Sequence, residues 1–336
     1  MKIAILTPTF SQFSGIDRLV EIESKDYRKK GNDITIFTFK AHIKTKNAKV
    51  IEIGMPKNPL LERLYRLFFF LDIKKIKKYS DILTNYDMVI SHLYPMNILA
   101  CKAKKKNPRI TYIYHNAGVG ITETYSLPEK VYLKLFNHLT NKTIMNTDRI
   151  ISISDFLRRQ LLKETGLDSK VEYITIDKKR FHKGIKSSRI RKRYSIKKEP
   201  VFFYVGRISP HKGIHLLIRA FKLVQKKYPK AKLIIAGKHT FPKYSKELKK
   251  LANKDVIFAG FVPDNELAEY YAACNVYTTA SLWEGFDMPA KEAQAVGRPV
   301  VAFDAGAHKE VVKNGILVKT GDVKGFAGAV LKLLDS

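Results

Sequence analysis

The chain has 336 residues, more than a single hydrophobic core usually serves, so two domains are expected. Its two cysteines, Cys101 and Cys274, form no CxxC pair, which argues against a disulfide framework and a structural zinc site. The formal net charge of +31 favours anionic partners but does not choose among phosphate-bearing substrates, anionic lipid surfaces and nucleic acid.

The amino-terminal residues predict no targeting segment. The first apolar run, Ile3 to Leu6, directly follows Met1 and Lys2 and is too short for the core of a signal peptide. The rest of the chain contains no run of 18 apolar residues, the length that suggests a membrane-spanning helix. We therefore expect a cytoplasmic protein.

In the first half of the chain, short β-branched runs alternate with amphipathic segments, the pattern of βαβ units. The predicted strands are Ile3 to Leu6, Ile34 to Phe39, Met88 to Ser91, Arg109 to Tyr114 and Arg149 to Ile153. This order predicts an α/β fold class, with one doubly wound parallel sheet in the first domain.

The segment Leu60 to Tyr79 has an unusual composition, because the apolar run Leu67 to Leu71 is followed by Lys74, Lys75, Lys77 and Lys78. An apolar and basic helix of this kind can lie on an anionic bilayer. It can equally be an ordinary helix that packs on the sheet and turns its lysines to water. Both interpretations remain open at this point.

The second half repeats the α/β pattern after a basic stretch, Asp177 to Pro200. Its predicted strands are Val201 to Val205, Ala231 to Ala236, Val256 to Ala259, Val276 to Thr278 and Pro299 to Ala302. We place the linker near the start of the basic stretch. The predicted domains are therefore residues 1–176 and 177–336.

The first chemically informative motif is YVGRISPHKG, Tyr204 to Gly213, where a predicted strand ends and a helix begins. Ligands of open α/β sheets bind at such carboxyl ends of strands. Gly206 allows close approach to the backbone, and Arg207 and Lys212 add two cations beside a helix N-terminus, which itself favours phosphate. An arginine and a lysine together suit a diphosphate.

The second motif is SLWEGFDMPAKEAQAVG, Ser281 to Gly297. Pro289 suits the first turn of a helix, which places Glu284 in the preceding loop and Glu292 on the helix. The two carboxylates would not face each other as a glycosidase pair does. They suit hydrogen bonds from the hydroxyls of a sugar and a ribose.

These two motifs, with AGFVPDNELAEYYAACNV and NGILVKTGD, resemble in order and spacing the family-4 retaining glycosyltransferases of GT-B fold. The resemblance covers essentially the second half. It implies two Rossmann-like domains with parallel sheets facing a deep cleft. It also implies a donor site in the second domain, with Arg207 and Lys212 on the diphosphate, Glu292 on the ribose, Glu284 with the backbone of Gly285 and Phe286 at the transferred sugar, and the backbone near Phe261 and Val262 beside the base.

The first half resembles the family more loosely, through KIAILTPTF, a Ser14-Gly15 loop before a helix with Arg18, YIYHNAG and IISISDFLRRQL. The resemblance implies that Gly15 lies against the donor phosphates and that His115 points toward the sugar, although a lone histidine is more often structural. Ser154 is best interpreted as a helix N-cap.

The sequence departs from the family pattern at several points. The usual glycine pair of the first loop is Ser14-Gly15, and the segment before the linker is shortened to YITIDKKRF. Asp287 occupies a position that is often glycine, where it would either contact the donor sugar or cap the helix at Pro289. Family members also commonly continue into a helix that crosses back to the first domain.

The resemblance implies transfer from a UDP- or GDP-sugar with retention of anomeric configuration, the donor phosphate helping to take the acceptor proton. No cofactor or metal is expected, since the sequence has no DxD motif, no Walker loop, no HExxH and no complete GxGxxG. Catalysis would then depend on Arg207, Lys212, Glu284 and His115 through positioning and charge stabilisation. The acceptor would be a glycan, a lipid-linked molecule or another hydroxyl compound.

Two alternatives remain open from the sequence. The charge alone would suit a nucleic-acid or polyanion-binding protein on a GT-B-like scaffold, but no nucleic-acid motif with interleaved aromatic residues occurs, so nucleic acid is the less favoured partner. A phosphorylase or epimerase relative of the same fold would use a similar donor site. The apolar and basic segment adds the hypothesis of peripheral attachment to the inner face of an anionic membrane.

Overall fold

The computed structural model describes residues 1–10, 15–119, 126–239 and 241–335. The chain forms two compact units, which meet in sequence between Ile174 and Thr175. Each unit contains one parallel sheet with helices, so the α/β prediction is confirmed.

The first unit contains a seven-stranded sheet, ordered β3-β2-β1-β4-β5-β6-β7. Its strands are β1 (Lys2–Phe10), β2 (Asp33–Ala41), β3 (Lys49–Glu52), β4 (Met88–Ser91), β5 (Thr111–Asn116), β6 (Arg149–Ser152) and β7 (Lys170–Val171). The helices are α1 (Gly15–Lys29), α2 (Pro59–Leu67), α3 (Ile73–Leu83), α4 (Met96–Lys106), α5 (Leu127–Ile144) and α6 (Asp155–Thr165). The sequence did not predict β3 and β7, which are short and only partly buried edge strands.

Alternation along β1 explains why both faces of this sheet are covered. Ala4 and Leu6 belong to a core shared with α3, α4 and α5, whereas Ile3 and Ile5 belong to a second core that includes Val20 of α1. Successive side chains of a strand point to opposite faces, so an unbroken apolar strand needs helices on both sides. This is the doubly wound arrangement.

The second unit contains a six-stranded sheet, ordered β10-β9-β8-β11-β12-β13. Its strands are β8 (Val201–Val205), β9 (Lys232–Ala236), β10 (Val256–Gly260), β11 (Val276–Thr279), β12 (Val300–Phe303) and β13 (Gly315–Val318). Its helices are α7 (Ser188–Arg193), α8 (Ile214–Gln225), α9 (Pro242–Leu251), α10 (Asp264–Ala273), α11 (Met288–Ala295), α12 (His308–Val311) and α13 (Val323–Asp335), with a short 3₁₀ helix at Pro210–Lys212. Strand β13 was not predicted.

Each sheet has one point where the strand order reverses. In the first unit β1 lies between β2 and β4, and in the second β8 lies between β9 and β11. Connections leave such neighbouring strands toward opposite faces, which opens a crevice at their carboxyl ends. The segments after β1 and β4, and after β8 and β11, are therefore the places where ligands of this fold class bind.

The segment Leu60 to Tyr79 is not one helix. Helix α2 ends at Leu67, a 3₁₀ turn spans Phe69–Leu71, and α3 begins at Ile73 after Asp72. The side chain of Asp72 accepts a hydrogen bond from the Lys75 amide at 3.1 Å, which caps the start of α3. The interpretation of this segment as a single apolar and basic helix is therefore wrong.

Part of the positive charge of the basic stretch Asp177 to Pro200 is neutralised within the second unit. Arg180 pairs with Asp264, Arg189 with Glu269 and Arg193 with Glu266, so three arginines meet the acidic face of α10. The guanidinium of Arg191 also donates to the Ala273 carbonyl at 2.7 Å. These contacts give the four arginines a structural role.

Within the described ranges, no helix is long and apolar enough to cross a membrane.

Candidate functional site

The two motifs of the second half follow neighbouring strands at the reversal of the strand order. Tyr204 to Gly213 comes from the end of β8, and Ser281 to Phe286 follows β11, which pairs with β8 through Val276 and Phe202. A backbone hydrogen bond from the Leu282 amide to the His211 carbonyl, 2.8 Å, joins the two loops. The structure therefore brings together the segments that the sequence analysis assigned to one site.

A glycine makes this close approach of the two loops possible. Gly213 has a positive φ of 63°, and a Cβ atom at this position would collide with the backbone carbonyl of Ala280. Any side chain would therefore push the loops after β8 and β11 apart. The Gly213 amide also closes the 3₁₀ turn by donating to the Pro210 carbonyl at 3.0 Å.

The cations of the first motif differ in their surroundings. Arg207 is exposed, and its carbonyl accepts a hydrogen bond from the Tyr204 hydroxyl at 3.2 Å. Lys212 is largely buried, and its Nζ atom lies 2.5 Å from Oε1 of Glu284. This pair links the predicted diphosphate site directly to the predicted sugar site.

The neighbouring His211 is buried beside the two cations. Burial, together with the charges of Lys212 and Arg207, lowers the pKa of His211 to about 2. His211 is therefore neutral at physiological pH, and its Nδ1 atom lies 3.2 Å from the Ser209 hydroxyl. The charges of Lys212 and Arg207, which add to the effect of burial, favour an anionic ligand at this site.

Beneath the second motif, a buried aspartate and histidine hold the loop to the start of α11. Asp287 caps α11, because Oδ1 accepts a hydrogen bond from the Ala290 amide at 2.9 Å. Its other oxygen lies 3.0 Å from Nε2 of His308, and Nδ1 of His308 lies 2.6 Å from the Phe303 carbonyl. Of the two roles left open for Asp287, the structure shows the helix cap and adds the partner His308, which the sequence analysis missed.

The environment of His308 favours its charged form. Burial alone would lower the pKa of His308, but hydrogen bonding and the charge of Asp287, with a smaller effect of Glu284, raise it above its usual value. Burial would raise the pKa of Asp287, yet His308 and Lys212 lower it. Both ring nitrogens face acceptors, which an imidazolium satisfies with two N–H donors.

The Glu284 backbone rests on the loop after β12. The Ala307 amide donates to the Glu284 carbonyl at 2.9 Å. Gly306 has a φ of 60°, and a Cβ atom there would collide with the same carbonyl. The position of Glu284 is therefore fixed by its backbone contacts, by Lys212 and by the Asp287 cap that follows it.

The remaining predicted residues of this unit lie on α11, in the loop before it and directly after β10. Glu292 is buried on α11 and accepts a hydrogen bond from the Tyr271 hydroxyl at 2.8 Å. Phe261 is 44% exposed and Val262 is buried; both directly follow β10, which lies two strands from β8 in the sheet. Gly285 is buried and Phe286 is half-buried, with the Lys291 ammonium 5.2 Å from its ring centre.

In the first unit, Gly15 is exposed at the first position of α1 and follows residues outside the described part of the chain, including Ser14. The Ser154 hydroxyl accepts from the Leu157 amide at 3.2 Å, so the N-cap prediction is confirmed. His115 lies in β5 and is buried.

His115 belongs to a buried cluster that the sequence analysis did not foresee. Its Nδ1 atom lies 2.5 Å from Oε1 of Glu23, and Nε2 of His92 lies 2.9 Å from Oε2 of the same carboxylate. One sequence signal was present: Glu23 follows Leu19 and Val20 at helical spacing, on the buried face of α1. A carboxylate on that face requires a partner.

Two groups of His, Asp and Glu side chains in the described ranges are compact enough to hold a metal ion. They are Glu23 with His92 and His115, and Glu284 with Asp287 and His308. Neither group is recognisable from sequence spacing, because at least one member of each comes from a distant segment.

Two family models match the chain, and together they cover most of it. Residues 186–336 match the model described as Glycosyl transferases group 1, and residues 13–175 match Glycosyltransferase Family 4. The chain belongs to this glycosyltransferase family. The resemblance inferred from its motifs is thereby confirmed.

Curated relatives of this glycosyltransferase carry related names. YtcC of Bacillus subtilis, which has a glycosyltransferase name, is 26% identical over 69% of the chain and 59% of its own length. The O-antigen chain mannosyltransferase B of Escherichia coli is 23% identical over 97% of the chain and 80% of its own length. A GDP-mannose-dependent phosphatidylinositol monomannoside mannosyltransferase of Mycobacterium tuberculosis is 29% identical over 56% of the chain and 53% of its own length. The matched part thus spans little more than half of the first and third relatives.

Solved structures confirm the GT-B fold of this glycosyltransferase. Sucrose-phosphate synthase of Thermosynechococcus elongatus superimposes with a TM-score of 0.80 at 20% identity, covering 100% of this chain and 90% of that one. HepE of Anabaena, solved with UDP and glucose, also gives 0.80, at 22% identity and the same coverage. At this identity the likeness concerns the fold.

Proposed function

We propose that the protein is a retaining, metal-independent hexosyltransferase that moves a sugar from a UDP- or GDP-sugar to a hydroxyl acceptor. The observation that carries this proposal is the contact between the two loops after β8 and β11, where the Lys212 ammonium meets the Glu284 carboxylate. A cation suited to phosphate and an acceptor suited to sugar hydroxyls thus lie side by side at the reversal of the strand order.

The donor diphosphate is assigned to Arg207, Lys212 and the backbone near Gly206. Arg207 is exposed and can make a forked contact, while Lys212 is already held in place by Glu284. The pKa of His211 is lowered first by burial and then by the charges of Lys212 and Arg207, and those two charges would also attract a diphosphate.

The other donor contacts follow the family resemblance. Glu284, with the backbone of Gly285 and Phe286, is assigned to the transferred sugar, and Glu292 to the ribose. The backbone near Phe261 and Val262 is assigned to the base. The Tyr271 hydroxyl donates a hydrogen bond to Oε2 of Glu292, and this bond would orient the carboxylate for a ribose diol.

The named relatives support two classes of nucleotide. HepE was solved with UDP and glucose and with UDP-glucose, which supports a UDP-sugar. The mycobacterial relative is GDP-mannose-dependent, which supports a GDP-sugar.

The chemistry we propose needs no protein nucleophile and no metal. Arg207 and Lys212 would neutralise the charge that develops on the departing diphosphate, which is where preorganised cations lower a barrier most. The donor phosphate would help to take the acceptor proton on the face that the leaving group vacates, so the anomeric configuration is retained. In the first unit, the proposal assigns Gly15 to the donor phosphates and His115 to the sugar.

Binding of the diphosphate tests this assignment directly. The single tryptophan of the chain, Trp283, directly precedes Glu284, so its fluorescence should report ligand binding at this loop. We expect one of UDP, GDP and ADP to bind most tightly in calorimetry and to change this fluorescence, with or without EDTA. Glu292→Ala and Arg207→Ala should weaken binding, whereas Lys222→Ala, an exposed lysine of α8, should not. Equal binding by wild type and Arg207→Ala would overturn the assignment.

Transfer itself is tested with the nucleotide-sugar chosen by that titration. Arg207→Ala and Lys212→Ala should each reduce transition-state stabilisation by roughly 2 to 4 kcal/mol, as lost oxyanion donors do. Proton NMR of the product should show the anomeric configuration of the donor. An inverted product, or loss of turnover in EDTA that a divalent ion restores, would contradict the retaining or the metal-independent part of the proposal.

The first unit also carries an exposed apolar surface. We define the apolar surface by the exposed large side chains of α2, the 3₁₀ turn, the start of α3 and α5: Leu60, Leu61, Leu64, Phe68, Phe70, Leu71, Ile73, Leu127, Val131 and Leu135. The Tyr132 hydroxyl donates to the Arg63 carbonyl at 3.4 Å, so α5 and α2 lie next to each other. Most of the exposed large apolar side chains of the described residues belong to this surface.

We propose that the apolar surface binds an anionic lipid bilayer and serves a lipid-linked acceptor. Exposed basic side chains accompany it, including Arg63, Lys74, Lys77, Lys78 and Lys134. Apolar insertion and attraction to anionic headgroups reinforce each other on such a surface. The apolar side chains come from separate elements, so the earlier hypothesis of a membrane-binding segment is replaced by a surface built in three dimensions.

Sedimentation with vesicles tests the proposed membrane contact. We expect binding to vesicles of phosphatidylcholine with phosphatidylglycerol, weaker binding in high salt, and little binding to phosphatidylcholine alone. Leu61→Ser with Phe70→Ser should reduce binding, whereas Leu162→Ser, at an exposed leucine on α6, should not. No sedimentation with the anionic vesicles at low salt would remove this part of the proposal.

A further inference from the structure

Glu23, His92 and His115 form the buried cluster of the first unit, and we call them the Glu-His-His cluster. Glu23 lies on α1, His92 directly follows β4, and His115 lies near the end of β5. Strands β1, β4 and β5 are neighbours, so the cluster lies at the carboxyl ends where the strand order reverses. All three residues are more than nine-tenths buried.

The carboxylate serves both rings at once. Oε1 of Glu23 lies 2.5 Å from Nδ1 of His115, and Oε2 lies 2.9 Å from Nε2 of His92. The imidazole centres are 5.1 Å apart and nearly perpendicular, with an interplanar angle of 70°. Each ring therefore has one nitrogen at the carboxylate and the other directed elsewhere.

Electrostatics favours an ionised carboxylate here. Burial alone would raise the pKa of Glu23, but the two histidines outweigh it and lower the pKa to about 2. An ionised carboxylate only accepts hydrogen bonds, so the nitrogens that face it must carry protons. This condition sets the tautomers: the neutral form of His115 carries Nδ1–H, and that of His92 carries Nε2–H.

Other charged groups near Glu23 do not replace either histidine. Tyr27, one turn further along α1, has its pKa raised first by burial and then by the charges of Glu23 and Glu172, while Arg149 lowers it. A neutral tyrosine does not compensate the charge of the Glu23 carboxylate, so this compensation comes from the two imidazoles. The histidines are thus the partners that Glu23 has in the described structure.

Direct carboxylate–imidazole contacts explain the distances better than a bound metal does. Two ligand atoms at about 2.1 Å from a tetrahedral zinc ion lie roughly 3.4 Å apart. The observed separations of 2.5 and 2.9 Å are those of close carboxylate–imidazole ion pairs, and the other ring nitrogens have no hydrogen-bond partner among the described residues. The cluster is compact enough for an ion, but its present spacing is that of a carboxylate between two N–H donors.

We propose that Glu23 is a positioning residue that holds His115 in the Nδ1–H tautomer and so presents Nε2 as a hydrogen-bond acceptor for a substrate hydroxyl. This inference rests on the proposed function in one respect, the assignment of His115 to the sugar. A phosphate oxygen cannot donate to that nitrogen, so the tautomer assigns His115 to a hydroxyl rather than to the donor phosphates. His92 contacts the second oxygen of the Glu23 carboxylate.

The tautomers can be measured without any activity. In protein labelled with ¹⁵N-histidine, NMR at pH 7.5 should show His115 protonated on Nδ1 and His92 on Nε2. In Glu23→Gln the amide has one acceptor oxygen and one donor nitrogen, so at least one ring should change tautomer. Glu21→Gln, an exposed glutamate on the same helix, should leave both spectra unchanged.

Kinetic measurements test whether the tautomer of His115 affects sugar transfer. If the Glu23→Gln spectra show His115 changed to the Nε2–H tautomer, kcat/KM should fall by roughly 10-fold, the effect of a lost hydrogen bond. Glu23→Asp should recover part of the loss, and a donor whose sugar lacks the contacted hydroxyl should not distinguish the variants. His92→Asn should keep the Nδ1–H tautomer of His115, because Glu23 remains.

The outcomes separate this inference from the proposed function. Wild-type protein with the stated tautomers but no transfer activity would refute the proposed function and leave the role of Glu23 in place. The role of Glu23 is overturned if His115 is protonated only on Nε2 in wild type, or if Glu23→Gln changes neither tautomer. Stoichiometric zinc binding that displaces both protons would also overturn it, in favour of a metal site.

Discussion

The buried pair Asp287 and His308 should make the stability of the second unit depend on pH. His308 is fully buried, and its two nitrogens lie 3.0 Å from Asp287 Oδ2 and 2.6 Å from the Phe303 carbonyl. We consider three changes: His308→Ala, His308→Gln and a rise in pH. Each removes the positive charge that lies under the Glu284 loop.

The expected magnitudes follow from what each change leaves behind. His308→Ala leaves the Asp287 carboxylate buried without its partner, which typically costs about 3 to 5 kcal/mol of unfolding free energy. His308→Gln retains one donor and should cost less, about 1.5 to 3 kcal/mol, the range for a hydrogen bond to a charged group. Both variants should also lower donor affinity, because Asp287 caps the helix after that loop.

The sign of the pH effect follows from the raised pKa of His308. Its contribution is fully present below the unfolded-state pKa near 6.5 and is lost as the pH rises through the higher folded-state pKa. Urea unfolding followed by Trp283 fluorescence reports on this unit. Wild type should lose stability above neutral pH, and His308→Gln should lack that component.

A matched control is His182→Gln, at an exposed histidine of the same unit, which should keep the pH dependence of wild type. If His308→Gln and wild type lose the same free energy between pH 6 and pH 9, His308 is not charged in the folded protein. The two acceptors at its ring nitrogens would then not hold a charged imidazole.

Three further predictions concern other parts of the chain. Gly213→Ala should destabilise the second unit by more than 1 kcal/mol in the same urea assay and weaken diphosphate binding, because φ is positive and the new Cβ would collide with Ala280; Gly328→Ala, which has open space, should be tolerated. Ser154→Ala should cost about 0.5 to 2 kcal/mol in circular-dichroism melts through the lost cap of α6, and an unchanged melting temperature would contradict the cap. The pKa of Glu23 is lowered to about 2, so its stabilisation of the first unit should be present above pH 4.5 and should be lost between pH 4.5 and 2, a loss of about 3 kcal/mol. Glu23→Gln should lack this component in acid titrations monitored by NMR. An acid transition identical to that of wild type would contradict this prediction.

The central strands were predictable because their signal is local. Met88–Ser91 and Val201–Val205 have the predicted bounds, since continuous β-branched and aromatic runs need burial on both faces. The short edge strands lacked that signal. Strand β7 has only two residues, and its pairing with β6 is a property of the sheet rather than of its own sequence.

The donor motifs were also predictable, because their functional groups lie within a few residues of a strand end. The sequence placed Arg207 and Lys212 after one strand and Glu284 after another. It could not show that Lys212 and Glu284 touch, since 72 positions separate them and their contact depends on β8 pairing with β11.

The segment Leu60 to Tyr79 shows the limit of composition. Its apolar and basic residues were visible in the sequence, but the sequence did not show where the helix breaks at Phe69–Leu71. Nor did it show that α5 brings Val131 and Leu135 to the neighbouring surface. Whether a side chain is exposed depends on which other helices and strands pack against it.

By itself, then, the sequence determined the α/β class, the central strands and the loops that carry the donor motifs, because periodicity and strand-end chemistry are encoded within short windows. Only the tertiary structure showed which distant polar groups form ion pairs with each other. Glu23 meets His92 and His115, and Asp287 meets His308, because neighbouring strands and helices bring remote segments within 3.0 Å. Burial makes such partners necessary, but the sequence does not say which they are.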